Sequence, residues 1–477
     1  MRGVLSLYSW RYAPALIYML QSSEYQAAPY LRWYWRARDF NAVQRRRSLD
    51  RTRSANLLLA ALLTGMLGQL LIGLGLLALY FLEGKPAWPV GLALALSYPV
   101  VWAHLVVLFL WLGRLLIAKP RQRRAIRRSE TIFAAHPGVK VAVAGSYGKT
   151  SMKELLATVL GEARKVAATP ANRNVASSHA QFATRLAGDE DVLILEYGEG
   201  RPGDIARFAA VTHPTHGIIT GLAPAHLDHY RTLEAAAHDI FSLSAAVTAD
   251  KLYVNASSYT IRPFITGQMR SFDEHQVLGW KVSGIKVATD GISFNMKQGK
   301  RRLKLRSGLV GRHQVAPLAF AAAFAIELGL REDEVVAGIA RTTPYEHRMQ
   351  PYRLSGAWII DDTYNGNLEG VRAGTALLHE LQAERKWYVT PGLVDQGRDT
   401  ARIHREMGTL IAAAKPDTVV LMQNSVTRYI VAGLQAGEFK GELRIEADPL
   451  HFYTNLRHFV AAGDLVLMQN DWTDNYA

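Results

Sequence analysis

No cysteine occurs among the 477 residues. Disulfides, thiolate metal sites, iron–sulfur ligation and cysteine nucleophiles are therefore excluded. Acidic residues are scarce at one end. Up to residue 130 there are 5 Asp+Glu against 18 Lys+Arg, a local balance of +13 within a whole-chain charge of +14. A nucleic-acid-binding protein would spread its basic charge over a folded face, so this polarity argues against a nucleic-acid partner. Low-complexity tracts and internal repeats are also missing. At 49% apolar residues the chain has material for a sizeable core, and its length suits roughly two to four domains.

Two long runs carry no formal charge. One extends from Leu57 to Leu82 and the other from Trp88 to Leu112, with His104 inside it. Each exceeds the ~20 residues that cross a hydrocarbon core as a helix. Only Glu83 to Ala87 separate them, so the pair reads as an antiparallel hairpin. The runs begin too late and are too long for a secretory signal. Arg32, Arg36, Arg38, Arg45, Arg51 and Arg53 precede the first run, and Arg114, Lys119, Arg121, Arg124 and Arg128 follow the second. Cationic flanks stay cytosolic, which predicts a multi-pass protein of the cell membrane with both ends on the cytoplasmic face. The same arginines suit anionic membrane lipids, at ~1 kcal/mol each near the surface. Upstream, Leu5, Tyr8, Trp10, Tyr12 and Leu16 read as an interfacial or re-entrant segment, and Tyr30, Trp33, Tyr34 and Trp35 as a headgroup-level belt. Arg11 and Pro14 argue against a third span.

The character then changes. Val139 to Ala144 reads as a buried strand, Gly145-Ser146-Tyr147-Gly148-Lys149-Thr150-Ser151 as a glycine loop, and Met152 to Ala163 as a helix. This is the P-loop order, shortened to two residues between the first glycine and Gly148. Backbone N–H groups and the helix N-terminus suit phosphate oxygens. Lys149 should reach the terminal phosphates and Thr150 should ligand Mg²⁺. Asp191 to Glu196 and Gly217 to Thr220 are further buried-strand signals, the second followed by Pro224-Ala225-His226. In an open parallel sheet, ligands bind beyond the carboxyl ends of strands. Glu196 and His226 are placed there with the P-loop, which suggests metal coordination.

These blocks resemble the Mur ligase family, the ATP-dependent amide ligases of peptidoglycan precursors. The resemblance is carried by AGSYGKTSMKELLATVL, by LEYGEGRPGDIARF with THGIITGLAPAHLDHYRTLEAAAHDIF, by GRHQVAPLAFAAAFAIELGL, by YEHRMQ with IIDDTYNGNLEGVRAGTALL, and by TPGLVDQGRDTARIHREMG. It covers roughly Val139 to Gly408 and is most similar to the branch that adds D-alanyl-D-alanine. It implies an α/β chain: a P-loop central domain with a mostly parallel sheet over 131–343 and a Rossmann-like C-terminal domain over 344–477. A two-helix transmembrane anchor over 1–130 precedes them. The resemblance also implies roles. Gly145, Ser146, Gly148, Lys149, Thr150 and Ser151 would bind ATP, with Gln314 and Asp362 at the nucleoside. Thr150, Glu196 and His226 would hold Mg²⁺. Lys149, Glu196, His226 and Arg348 would be catalytic, Arg348 approaching the γ-phosphate. Asn172, Asn174, Tyr364, Asn365 and Asn367 would lie near the substrate. The implied partners are a UDP- or lipid-linked cell-wall precursor and an amine such as D-alanyl-D-alanine.

Three departures from the family pattern stand out. The helix that usually carries a carbamylated lysine has none before Lys251, and His238 is the candidate replacement. Gln314 stands where the family has asparagine after Gly-Arg-His. The hairpin stands where the family's N-terminal UDP-substrate domain is expected. Two alternatives follow: a polyglutamate-type synthase, and a membrane-bound nucleotide-binding protein with weakened turnover.

Overall fold

A computed structural model describes residues 5–23, 25–37, 39–40, 49–84, 86–171, 173–223, 230, 232–364, 366–394 and 396–470. The chain divides after Arg124 into two units.

The first unit holds helices α1 (Tyr12–Ser22), α2 (Ala27–Arg36), α3 (Arg53–Glu83) and α4 (Trp88–Gly113). Thr52 caps α3 through Ala55 N at 3.2 Å, and Gly84 ends it with φ 68°. At ~1.5 Å per residue, α3 is longer than the ~30 Å hydrocarbon core. Both α3 and the stretch beginning at Trp88 are long and apolar enough to cross a membrane. Only 17% and 11% of their most apolar windows are buried within the protein. Glycines allow the two helices to touch: a Cβ on Gly73 would lie 2.8 Å from Ala95 N and 2.9 Å from Gly91 O.

Helix α1 is too short to span, and Tyr12, Leu16, Ile17 and Leu20 are fully buried within the unit. Phenols of Tyr8, Tyr12 and Tyr30 donate to carbonyls of α4 at Leu96 (2.6 Å), Pro99 (3.0 Å) and Ala103 (2.9 Å). Those three carbonyls lie at helical spacing on one face. The expected aromatic belt is thus divided. Tyr30 and Tyr34, four residues apart on α2, are buried, whereas Trp35 is 71% exposed.

The second unit opens inside helix α5 (Lys119–Ala135), whose Phe133 is fully buried in a core of the central domain. The expected anchor boundary at residue 130 falls within this helix. The central sheet is six-stranded and wholly parallel. Its strands are β1 (Val139–Ala144), β2 (Val166–Ala168), β3 (Val192–Glu196), β4 (His216–Ile219), β5 (Leu252–Asn255) and β6 (Arg270–Phe272), in the order β2-β3-β1-β4-β5-β6. Alternate residues of β1 feed two cores, as strand periodicity requires. Val141 and Val143 face α6 (Lys149–Leu160) through Met152, Leu155 and Val159. Ala142 and Ala144 share the other core with Leu193, Leu195 and Phe208.

The β extension expected over about 251–306 is present in part. Its first strands, β5 and β6, join the parallel sheet instead. The remainder forms an antiparallel sheet of β7 (Gln276–Val277), β8 (Trp280–Ala288), β9 (Gly291–Gln298) and β10 (Arg301–Ser307), packed on the core beside α6. The last sheet is mixed. Strand β11 (Gln350–Leu354) runs antiparallel to β12 (Ala357–Asp362), and β13 (Arg385–Thr390), β14 (Thr418–Met422), β15 (Glu442–Glu446) and β16 (Asp464–Gln469) complete the order β11-β12-β16-β13-β14-β15.

Candidate active site

The loop after β1 supplies the phosphate-facing backbone. Gly145 adopts φ 141°, and a Cβ there would lie 2.4 Å from Thr220 Oγ1 and 2.9 Å from Gly221 O. Gly148 adopts φ 76° and turns the chain into α6. Only glycine tolerates both positions without strain. Ser146 N donates to Gly221 O at 2.8 Å, while Ser146 Oγ is buried with no protein partner. Ser151 is half-buried in the first turn of α6.

Parallel register sets Glu196 beside Val143, at the carboxyl end of β3 and level with the start of the loop. Its carboxylate is 1% exposed. Oε1 accepts from Thr150 Oγ1 at 3.0 Å and from Asn174 Nδ2 at 3.3 Å. Oε2 lies 3.3 Å from the ammonium of Lys153, which is fully buried. Lys153 also pairs with Glu154 Oε1 at 3.1 Å and donates to Ala171 O, so it ties the loop leading to Asn174 to the same point. The backbone of Glu196 is fixed by Thr169 Oγ1 and by His179, whose Nε2 donates to Glu196 O at 2.8 Å. Burial pushes the His179 imidazole down to about 4, so it is neutral at physiological pH. Lys149 Nζ meets Glu199 Oε2 at 2.6 Å.

A second set of candidate residues comes from the C-terminal domain. Arg348 sits between two non-glycine residues in the left-handed region, His347 (φ 59°) and Met349 (φ 46°). Such strain is held only where the surroundings over-determine it. Here His347 Nδ1 bonds Asp361 Oδ2 at 2.8 Å, and Met349 N donates to Asp362 Oδ1 at 3.2 Å. The Arg348 guanidinium lies 4.3 Å from the Tyr364 ring centroid. Burial pushes the Tyr345 phenol up, with Glu154 of α6 raising it further and Arg348 opposing the rise.

Asp362 receives Gln469 Nε2 at 2.7 Å, and Gln469 is in turn held by the Tyr388 phenol at 2.8 Å. Desolvation pushes the Asp362 carboxyl up to about 6, against a hydrogen bond from Gln469 that lowers it. A raised carboxylate pKa favours the fold below the unfolded value of 3.8 and loses that contribution between pH 4 and 6. Asp362→Asn, which removes this titration, is therefore expected to flatten the fall of the parent's stability between pH 4 and 6. Thermal unfolding across that range checks the sign.

The other expected residues are placed as follows. Asn367 caps the helix Leu368–Glu380, its Oδ1 accepting from Gly370 N at 2.8 Å. Gln314 ends a single 3₁₀ turn, with Nε2 3.0 Å from His313 Nε2. His238 is exposed on the helix Leu233–Phe241. Its neighbour Asp239 is the buried one, accepting from Gly203 N and the Tyr230 phenol, both at 2.7 Å. Asn172, His226 and Asn365 lie outside the described residues. Sequence reasoning missed Lys153, Glu199 and Gln469. Lys153 lies four residues after Lys149 on the same helix face, which was the available signal; Glu199, in a loop, and Gln469 carried none.

The donor set fits a nucleotide with Mg²⁺. Hydroxyl and carboxylate oxygens of Thr150 and Glu196 suit a hard cation, and Ser146 Oγ is a buried polar atom open to a phosphate. Among the described residues there is no group of three or more His, Asp or Glu that would cage a metal.

Family models match two stretches: the Mur ligase middle domain over residues 143–325, and the Mur ligase glutamate ligase domain over 347–469. The UDP-N-acetylmuramoyl-tripeptide–D-alanyl-D-alanine ligase of Mycobacterium leprae is 30% identical over 364 residues, 69% of this chain and 70% of that protein. Its Mycobacterium tuberculosis counterpart is 30% identical over 285 residues, 57% of this chain and 55% of that protein, so the chain spans little more than half of that relative. The structure of MurF ligase from Thermotoga maritima in complex with ADP shares the fold, with a TM-score of 0.64 at 20% identity over 73% of this chain and 80% of that one. The chain belongs to the Mur ligase family of ATP-dependent carbon–nitrogen ligases.

Proposed function

We propose that this protein is a membrane-anchored, ATP-dependent ligase of peptidoglycan precursors that joins an amine such as D-alanyl-D-alanine to a UDP- or lipid-linked peptide. The observation that carries this reading is the P-loop pairing of Thr150 with Glu196 at 3.0 Å, supported by the Mur ligase models that match both domains. In the first step a substrate carboxylate attacks the γ-phosphorus, the bond to the β-phosphate oxygen breaks, and ADP leaves an acyl phosphate. The amine then attacks the acyl carbon, phosphate departs, and a proton is released as the amide forms. Lys149 and the loop amides hold phosphate oxygens, Arg348 offsets charge on the transferring group, and Asp362 faces the nucleoside. Thr150 and Glu196, with His226, would hold Mg²⁺, which supplies charge neutralisation between the phosphates. Closure of the C-terminal domain excludes water from the acyl phosphate.

Anchoring is supported by the two apolar helices, largely unburied within the protein, and by their arginine flanks. The anchor would keep the catalytic unit at the cytoplasmic membrane face, beside lipid-linked acceptors.

The test is amide formation with stoichiometric ADP release by the purified protein. UDP-muramoyl tripeptide with D-alanyl-D-alanine should give product. Product with glutamate alone would overturn the cell-wall reading in favour of a polyglutamate-type synthase. Release from membranes by alkaline carbonate would overturn the anchoring.

A further inference from the structure

Two buried ion pairs meet beside the P-loop, and the half-exposed Glu154 is a further partner of Lys153 at 3.1 Å. Lys153 faces Glu196 at 3.3 Å, and Lys149 faces Glu199 at 2.6 Å. The members of the two pairs are largely withdrawn from water: the side chains of Lys153 and Glu196 are 0% and 1% exposed, and those of Lys149 and Glu199 are 12% and 2% exposed. Glu199 thus holds the ammonium group on which a nucleotide's terminal phosphates depend.

Its position is built rather than incidental. The loop after β3 is pinned on both sides of Glu199. Gly198 N donates to Asn174 O at 2.8 Å, and a Cβ at Gly198 would collide with the Asn174 side chain. Beyond it, Arg201 N donates to Asp204 Oδ2 at 3.0 Å, and Gly203 N donates to the buried Asp239 at 2.7 Å. The carboxylate is therefore held at Lys149 by its own backbone.

Incoming phosphate alone would break a buried ion pair and leave Glu199 beside fresh negative charge, which is unfavourable in a water-poor site. A divalent cation arriving with the phosphates removes that penalty, because it gives the displaced carboxylate an opposite charge to face. We propose that Glu199 is an internal competitor for the phosphate site and makes nucleotide binding conditional on a divalent cation. This inference rests on the nucleotide-binding reading above and adds a residue that controls how the nucleotide enters.

The experiment measures ADP affinity of the full-length protein by calorimetry, in Mg²⁺ and in EDTA, for the parent and for Glu199→Gln. The parent should bind ADP at least about tenfold more tightly with Mg²⁺ than without, the scale expected for one charge-assisted contact. In Glu199→Gln the ratio should fall below about threefold, chiefly because metal-free ADP binds more tightly once the competitor is neutral. Should Glu199→Gln fold poorly, Glu199→Asp, which keeps the charge but draws it back by one methylene, should give an intermediate ratio. An unchanged ratio, or weaker metal-free binding in the variant, would overturn the inference while leaving nucleotide binding intact. No ADP binding by the parent in either condition would remove both.

Discussion

Arg348→Ala is expected to slow amide formation by roughly 10³-fold, the lower end of what a cation aimed at a transferring phosphoryl group contributes. ADP affinity should stay within about threefold, because stabilisation confined to the transition state appears in kcat rather than in binding. The structure gives this residue unusual support. Two non-glycine residues in the left-handed region flank it, His347 is tied to Asp361, and the guanidinium rests on the Tyr364 ring. Arg348→Lys should recover little, since a lysine ammonium lacks the planar fork and the ring-stacking face. Steady-state rates of ADP release, with ADP binding measured alongside, check both statements. A fall in affinity equal to the fall in rate would place Arg348 in ground-state binding instead.

Lys153→Met is expected to destabilise the catalytic unit by about 3–5 kcal/mol, because it leaves the Glu196 carboxylate buried without its cation. A fall in Tm of roughly 5–10 °C should follow. The double variant Lys153→Met with Glu196→Gln should recover most of that stability, since removing both charges also removes the desolvation penalty. It should remain inactive, because Thr150 would have lost its carboxylate partner. A single variant that unfolds within 2 °C of the parent would show that the pair contributes little to the fold.

The features that local pattern encodes were legible in the sequence. The strand–glycine loop–helix run from Val139 announces itself through burial and spacing, and the uncharged runs announce helices α3 and α4. What pattern does not encode is pairing at a distance. Lys153 and Glu199 read as solvated charges until the sheet brings β3 beside β1. Tyr30 and Tyr34 read as interfacial aromatics because their hydrogen-bond acceptors and covering side chains lie on other helices. Strands β5 and β6 were absorbed into the β extension because segments of four and three residues carry too little periodicity to show which sheet they join. Gln469 passed unnoticed at the end of the last strand, since only the tertiary fold sets it against Asp362 and Tyr388.

The three phenols that grip α4 also impose an order of events. Tyr8, Tyr12 and Tyr30 leave the ribosome 88, 87 and 73 residues before the carbonyls they bind. At ~5–20 residues per second, that is a wait of roughly 4–18 seconds. During it, α3 is completed and can already pack on α1, but the three phenols lack their acceptors on α4 and must make their hydrogen bonds elsewhere. The first unit can therefore complete its hydrogen bonding only after Ala103 has been made.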